Sequence, residues 1–255
     1  MGLENFDVIY YFVLLFVAIF AGFIDSIVGG GGLITIPALL ACGVSPHLAI
    51  ATNKLQSVFG SLTAAFTYYK STTLPHLIWG VFFTAIGAAI GSYGVLFVED
   101  DSLKIIILIC LTFTFLYIAF KPNFGKEESK AKIKNIKIFH IICGLTLGFY
   151  DGFLGPGTGS FWIFVCVFLL GFSMKQASIN TKILNFSSNI VALFIFIWQY
   201  KILWDIGFLM GFGQIIGAFL GSKLVLKTKG HFIKILFLIV VALTIIKVSW
   251  DYFIK

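Results

Sequence analysis

The chain has 255 residues, of which 59% are hydrophobic and only 11% are charged, and its formal net charge is +7. Soluble domains carry about 25% charged residues, so this chain has too few polar side chains to cover a water-soluble globule of its size. The composition excludes a soluble enzyme, a nucleic-acid-binding protein and a disordered module, and it predicts an all-α polytopic membrane protein.

Apolar stretches follow one another along the chain, and two of them are too long for a single helix. A membrane-spanning helix needs about 20 apolar residues. The first long stretch covers 8–43 and is followed by candidate spans at 48–69, 76–98 and 102–120. The second covers 138–172 and is followed by candidate spans at 178–200, 204–226 and 231–250. One long stretch plus three spans therefore occurs twice.

Glycine runs interrupt both long stretches. The first run is Gly29, Gly30, Gly31 and Gly32, and the second is Gly155, Pro156, Gly157, Thr158 and Gly159. Each stretch is therefore predicted to be two shorter helices joined by a glycine turn, as a hairpin or a re-entrant pair. A broken helix is tolerated in lipid only where the freed backbone groups face protein or a cavity.

The two halves of the chain resemble each other. Asp25 lies 126 positions before Asp151, and Lys54 lies 128 positions before Lys182. The near-constant spacing indicates a duplication. It divides the chain into a first transmembrane repeat at 1–120, a linker at 121–137 and a second transmembrane repeat at 138–255.

The loop charges predict that the second repeat is inverted. The linker carries six lysines against Glu127 and Glu128, and the positive-inside rule places it in the cytoplasm. The loop 99–101 is acidic, whereas the equivalent connection in the second half contains Lys227 and Lys229. Equivalent loops are then on opposite sides of the membrane. A multi-pass plasma-membrane protein with both termini outside the cell is expected.

Inverted repeats with interrupted helices are typical of secondary transporters, whose sites lie near the bilayer midplane between the repeats. Helices that restart after the two glycine turns direct unpaired N–H groups and a positive dipole end into such a cavity, which favours an anion. Thr158 and Ser160 can add hydroxyl donors. The structural alternative is that the glycines only permit close helix packing.

Lys54 and Lys182 occupy matching positions inside apolar segments, where an ammonium costs about 2.5–3.5 kcal/mol on insertion scales. Polar residues share their helix faces: Asn53, Gln56 and Ser57 near the first lysine, and Asn185 and Asn189 near the second. The functional interpretation is that both lysines bind an anion together with Asn53, Gln56 and Asn185. The structural alternative is that each lysine pairs with an intramembrane aspartate or extends to the interface.

Asp25 and Asp151 each lie four residues before a glycine turn. They can act as ion-coupling residues, as counter-ions to the lysines or as caps of the turns. A rival interpretation is a divalent metal-cation transporter or channel that uses both aspartates, although two carboxylates without an interior His or Met cluster make a poor divalent site. No catalytic motif occurs, so we predict no enzyme, no catalytic residue, no cofactor and no resident metal.

The element Gly22-Phe23-x-Asp25, followed by the four glycines and by Leu33, Ile34 and Pro37, resembles the TauE/SafE family of sulfite exporters, also called the toluene-sulfonate uptake permease family. The segment Ala51-Thr52-Asn53-Lys54-Leu55 is similar to the family's next element. The resemblance covers nearly the full length. It implies transport of small sulfur-containing anions through two inverted halves, with binding residues on both glycine turns, Asn53, Lys54 and Lys182. Pro156 departs from the pattern because it removes an N–H donor from the second turn.

The predicted function is therefore secondary transport of a small inorganic or organic sulfur anion, sulfite or a sulfonate, across the lipid bilayer. A membrane potential contributes about 2.3 kcal/mol per charge per 100 mV, which drives a monoanion out of a cell with a negative interior. Export is thus favoured, whereas uptake needs a co-transported cation, for which a proton on Asp25 or Asp151 is the candidate. The pattern indicates no nucleic-acid partner and is compatible with a homo-oligomer.

Overall fold

The computed structural model describes residues 8–73, 75–103, 105–106, 109, 130–133, 135–199 and 202–227, and these residues contain no strand. The helices are α1 (Val8–Val28), α2 (Gly32–Ala41), α3 (Pro46–Tyr68), α4 (Leu77–Val95), α5 (Ile136–Phe153), α6 (Thr158–Leu170), α7 (Met174–Trp198) and α8 (Trp204–Lys227). The predicted span at 231–250, most of the predicted span at 102–120 and most of the predicted linker at 121–137 lie outside the described residues.

Five of these helices, α1, α4, α5, α7 and α8, are long and apolar enough to cross a membrane. Their outward faces carry large exposed side chains such as Phe16, Phe82, Phe194 and Phe212. The third helix, α3, has 23 residues but is more polar, and its polar side chains are buried inside the bundle. The prediction of an all-α polytopic membrane protein is confirmed.

Each glycine-interrupted stretch consists of one long and one short helix. In the first, α1 has 21 residues and α2 has 10; in the second, α5 has 18 and α6 has 13. At 1.5 Å per residue, α2 and α6 are about 15 and 20 Å long, too short for a hydrocarbon core of about 30 Å. The prediction that each stretch forms two helices joined by a glycine turn is confirmed, and in both stretches the turn follows a helix of spanning length.

The short helices turn back along the long ones. Leu39 near the end of α2 packs in one apolar cluster with Leu14 of α1. Cys166 and Leu170 of α6 pack in another with Phe139 of α5. The glycine turns therefore lie inside the bundle, which is where freed backbone groups are tolerated.

Helices of the two halves pack against each other. Helix α1 of the first half packs along α8 of the second, and α4 of the first half packs along α5 of the second. Glycines permit both close approaches: Gly217 and Gly221 lie against the main chain of α1, and Gly87 and Gly91 lie against the main chain of α5. This is the small-residue packing that brings helix backbones together in membranes. The positions of these four glycines are therefore explained by helix packing.

Helices α3 and α7, which the predicted duplication makes equivalent, run antiparallel. Lys54 in the first part of α3 donates to Asn189 in the last part of α7, and Thr73, just beyond the end of α3, accepts from Asn180 near the start of α7. Two inverted repeats require this relative direction of equivalent helices. The inversion of the whole repeat and the side of the membrane on which each loop lies stay predictions.

Gly91→Ala is expected to lower the thermal unfolding midpoint clearly, whereas Gly94→Ala on the same helix is tolerated. A Cβ at Gly91 would overlap the main chain of Phe149 and lie 2.8 Å from the nitrogen of Phe153, so α4 and α5 would have to separate. A Cβ at Gly94 meets only the Phe153 ring, at 3.8 Å, and alanine improves helix propensity by up to about 1 kcal/mol. Unfolding of the detergent-solubilised variants tests this, and equal midpoints would contradict the close packing of α4 and α5.

Candidate functional site

The two glycine turns are in direct contact. The N–H of Ser160 donates to the carbonyl oxygen of Gly29 at 3.1 Å. Gly29 has a φ of +75°, and a Cβ there would collide with the main chain of Gly159. A Cβ on Gly159 would collide with Gly29 in turn. Only glycine fits at this crossing, which joins the start of α6 to the end of α1.

A small polar cavity lies beside this crossing. Its lining residues are Asp25, Gly29, Gly32, Asn53, Ser57, Asp151, Gly155, Gly157, Thr158, Gly159, Asn185 and Asn189. The predicted duplication pairs several of them: Asp25 with Asp151, Gly29 with Gly155, Gly32 with Thr158, and Ser57 with Asn185. Both halves of the chain contribute residues to the cavity.

Lys54 forms a buried ion pair that crosses between the halves. Its Nζ donates to Asp151 Oδ1 at 2.8 Å and to Asn189 Oδ1 at 3.2 Å. The hydroxyl of Ser188 donates to the other carboxylate oxygen of Asp151. The Lys54 side chain is 1% exposed and that of Asp151 is 5% exposed. This arrangement matches the structural alternative, in which each lysine pairs with an intramembrane aspartate.

Lys182 stabilises the end of α1. Its Nζ donates to the main-chain oxygen of Asp25 and lies 3.5 Å from Asp25 Oδ2. The last four carbonyl oxygens of a helix have no intrahelical partner, and a cation is favourable near them. In α1, side chains from other helices donate to all four: Lys182 to Asp25, Tyr68 to Ser26, Ser178 to Ile27 and Ser160 to Val28.

The structure brings most of the predicted site residues to the cavity, but neither lysine lines it. Those that line it are Asp25, Gly29, Gly32, Asn53, Asp151, Gly155, Gly157, Thr158, Gly159 and Asn185. Those that do not are Gly30, Gly31, Lys54, Gln56, Ser160 and Lys182. Several of these support lining residues instead: Gly31 donates its N–H to Asp25, and Gln56 donates to Asn53.

Two lining residues, Ser57 and Asn189, were placed on the polar helix faces by the sequence but were not singled out as ligands. Each lies four residues after another lining residue, Asn53 or Asn185. Residues at that spacing are neighbours on a helix surface. The helical spacing was therefore the signal that could have identified them.

Around the cavity, donors are free and most acceptors are occupied. The side-chain oxygen of Asn53 accepts from Thr35 and Gln56, and that of Asn189 accepts from Lys54. The amide nitrogens of both asparagines have no acceptor among the described residues, nor do the N–H groups of Gly32 and Gly159. A lysine can only donate, which fixes the amide orientation of Asn189. The cavity therefore offers hydrogen-bond donors to a ligand.

Two acceptors remain less well satisfied within the described part of the chain. Oδ1 of Asn185 is buried without a donor, and Oδ2 of Asp25 has only the distant Lys182. The described residues contain no group of three His, Cys, Asp or Glu side chains that could hold a metal ion. Nothing in the structure supports the metal-cation alternative.

The chain matches the family model described as sulfite exporter TauE/SafE over residues 14–248. The chain belongs to the TauE/SafE family. This confirms the resemblance drawn from the glycine element and from Asn53-Lys54. As a TauE/SafE member the protein is a membrane transporter and not an enzyme, as the sequence predicted.

Relatives of this TauE/SafE chain are named as probable membrane transporters. It is 42% identical to the probable membrane transporter protein YfcA of Escherichia coli (strain K12), across 94% of this chain and 89% of the relative. It is also 42% identical to the probable membrane transporter protein ORF9 of Sinorhizobium sp, across 89% of this chain and 87% of the relative. The more distant probable membrane transporter protein YunE of Bacillus subtilis (strain 168) is 23% identical. These proteins match over most of their length.

Proposed function

We propose that this protein exports small sulfur-containing anions, sulfite or organosulfonates, through the cavity between the two glycine turns. The observation that carries the proposal is the set of unpaired donors at the cavity, from Asn53, Asn189, Gly32 and Gly159. Sulfite and sulfonate groups present only acceptor oxygens and a negative charge, and charged hydrogen bonds to such oxygens are the strong ones. The name of the family model supports the direction and the substrate class.

The charge balance at the cavity suits a small anion. The ammonium groups of Lys54 and Lys182 and the carboxylates of Asp25 and Asp151 sum to zero. The N-termini of α2 and α6, which begin at cavity residues Gly32 and Thr158, each add about half a positive charge. The lysines act from behind the lining residues, so direct contact with the substrate falls to amides and glycine N–H groups.

The repeat architecture supports movement of the site between the two sides of the membrane. The cavity is lined by repeat-related residues of both halves, and the equivalent helices α3 and α7 run antiparallel. In inverted-repeat transporters one half rocks against the other around a fixed central site. In this proposal the lysine-rich linker is cytoplasmic and both termini are outside the cell.

Asn189→Asp tests the site. It preserves the acceptor for Lys54 but replaces a donor at the cavity with an acceptor, and a lost hydrogen bond to a charged group costs about 1.5–3 kcal/mol. We expect at least about tenfold slower flux of sulfite, thiosulfate or ethanesulfonate in proteoliposomes, since each 1.4 kcal/mol is a factor of ten.

The matched control is Asn135→Asp, which introduces the same charge at the exposed N-cap of α5, a position where aspartate and asparagine cap equally well. Its flux should equal that of the wild type. Wild-type vesicles that move none of the three anions would refute the proposed function. Wild-type flux in Asn189→Asp would refute the proposed site.

A further inference from the structure

The two aspartates at the cavity are held differently, although the repeat relates them. Asp151 is 5% exposed, and both of its carboxylate oxygens accept hydrogen bonds, one from Lys54 at 2.8 Å and one from Ser188. Lys54 is held in turn by Asn189. Both acceptor oxygens of Asp151 are therefore occupied by donors.

Asp25 is more open to the cavity. Its side chain is 23% exposed, and Oδ1 accepts the N–H of Gly31 at 3.0 Å. Its Oδ2 has only Lys182 Nζ, at 3.5 Å, as a donor among the described residues, a distance beyond the usual range of such bonds. Lys182 directs its hydrogen bond to the main-chain oxygen of Asp25 instead. A proton can bind Oδ2 while Lys182 keeps this partner.

We propose that Asp25 binds one proton together with each transported anion. This inference rests on the proposed function, because it concerns the same cavity. The carboxylate of Asp25 lines the cavity that the anion enters, and its negative charge repels a second anion at close range. A proton on Asp25 Oδ2 removes this repulsion and converts that oxygen from an acceptor into a donor.

The proton is taken from the water on the side where the anion enters and is released with the anion on the other side. Asp25 then returns to its carboxylate form as the empty transporter resets. One anion and one proton move per cycle, so no net charge crosses the membrane. The membrane potential then does not drive transport, and export requires an outward concentration gradient of the anion that exceeds any inward gradient of the proton.

The ionisable groups that face Asp25 are consistent with this role. Lys182 on α7 interacts electrostatically with both Asp25 and Asp151, and Tyr68 on α3 interacts with Asp25. Neither α2 nor α6 carries an Asp, Glu, Lys or His. On α8, the charged residues Asp205, Lys223 and Lys227 are exposed. Of the two aspartates that line the cavity, Asp25 therefore has the weaker hydrogen bonds to its carboxylate.

Proteoliposomes loaded with ethanesulfonate, whose charge does not change with pH, test the proposal. In the wild type, a pH difference of one unit should accumulate the anion about tenfold on the alkaline side, which is the equivalent of one proton per anion. A membrane potential set with potassium and valinomycin should have no effect. If the protein moves sulfite but not ethanesulfonate, the same measurements are made with sulfite at alkaline pH, where it is a dianion. The wild type should then move one net negative charge per transport cycle, and Asp25→Asn should move two.

Asp25→Asn should reverse both responses. The asparagine oxygen can still accept the N–H of Gly31, and Lys182 keeps the main-chain oxygen. The pH difference should no longer accumulate ethanesulfonate, and a potential of about 60 mV should accumulate it tenfold on the positive side. Asp205→Asn, the same substitution at an exposed position of α8, should behave like the wild type. If Asp25→Asn does not fold, Asp25→Ser provides a neutral residue that also accepts the Gly31 N–H.

Three results would overturn the proposal. Wild-type flux that responds to the membrane potential but not to the pH difference would show that no proton moves with the anion, while the proposed anion transport would stand. Tenfold pH-driven accumulation in Asp25→Asn would assign the proton to another residue. Wild-type vesicles that move neither ethanesulfonate nor sulfite would remove the proposed function and this inference with it.

Discussion

Lys54→Met is expected to lower the free energy of unfolding by about 3–5 kcal/mol, the usual cost of leaving one partner of a buried ion pair uncompensated. The ammonium of Lys54 is the only cation within hydrogen-bonding distance of Asp151 in the described part of the chain, at 2.8 Å. Methionine fills a similar volume without the charge. Asp151 would remain buried at 5% exposure with only the Ser188 hydroxyl for a donor.

A double variant separates charge from packing. Lys54→Met combined with Asp151→Asn removes both charges, and the asparagine can still bond to Ser188. Replacing a buried pair with neutral groups is often close to neutral in stability, so the double variant should recover most of the lost stability.

The control for Lys54→Met is Lys175→Met, which removes an exposed lysine that donates to the main-chain oxygen of Leu226 at 2.8 Å. Its free energy of unfolding should change by less than about 1 kcal/mol, as for other surface positions. Denaturant unfolding in mixed micelles measures all three variants. If Lys54→Met unfolds like the wild type, the pair contributes nothing to the fold.

The helices could be predicted from the sequence because lipid imposes a simple rule on length and polarity. The span predicted at 204–226 is observed as α8 (Trp204–Lys227), and that predicted at 76–98 as α4 (Leu77–Val95). Glycine runs marked both turns. The position of each turn within its stretch was harder to predict, because apolar residues continue on both sides and only packing against other helices fixes where the long helix ends.

The partners of the two lysines could not be chosen from the sequence. Lys54 and Asp151 are 97 positions apart, and Lys182 and Asp25 are 157 apart. The sequence indicated only that a buried ammonium needs compensation, which an anionic substrate or an aspartate can equally supply. The tertiary contacts also revealed that Lys182 bonds to the main chain at the end of α1 and that Asn189 turns its free amide nitrogen to the cavity.

Gly29→Ala is expected to abolish transport and to destabilise the fold by about 2–5 kcal/mol. Two costs combine at this position. A left-handed φ of +75° costs an alanine about 1–2 kcal/mol. The added Cβ also collides with the main chain of Gly159, and overpacking of this kind costs about 1–3 kcal/mol. Because the two turns touch here, separating them would also displace the donors at the cavity.

Gly43→Ala isolates the first cost. Gly43 has a φ of +81°, but a Cβ there meets no atom within 4 Å, and the residue is exposed. Its alanine variant should lose only the about 1–2 kcal/mol of backbone strain and should keep wild-type anion flux. Gly159→Ala isolates the second cost, because Gly159 lies in helix α6 without a positive φ. It should resemble Gly29→Ala in flux while losing less stability. Equal losses for Gly29→Ala and Gly43→Ala, with flux retained in both, would mean that contact between the turns is not needed for transport.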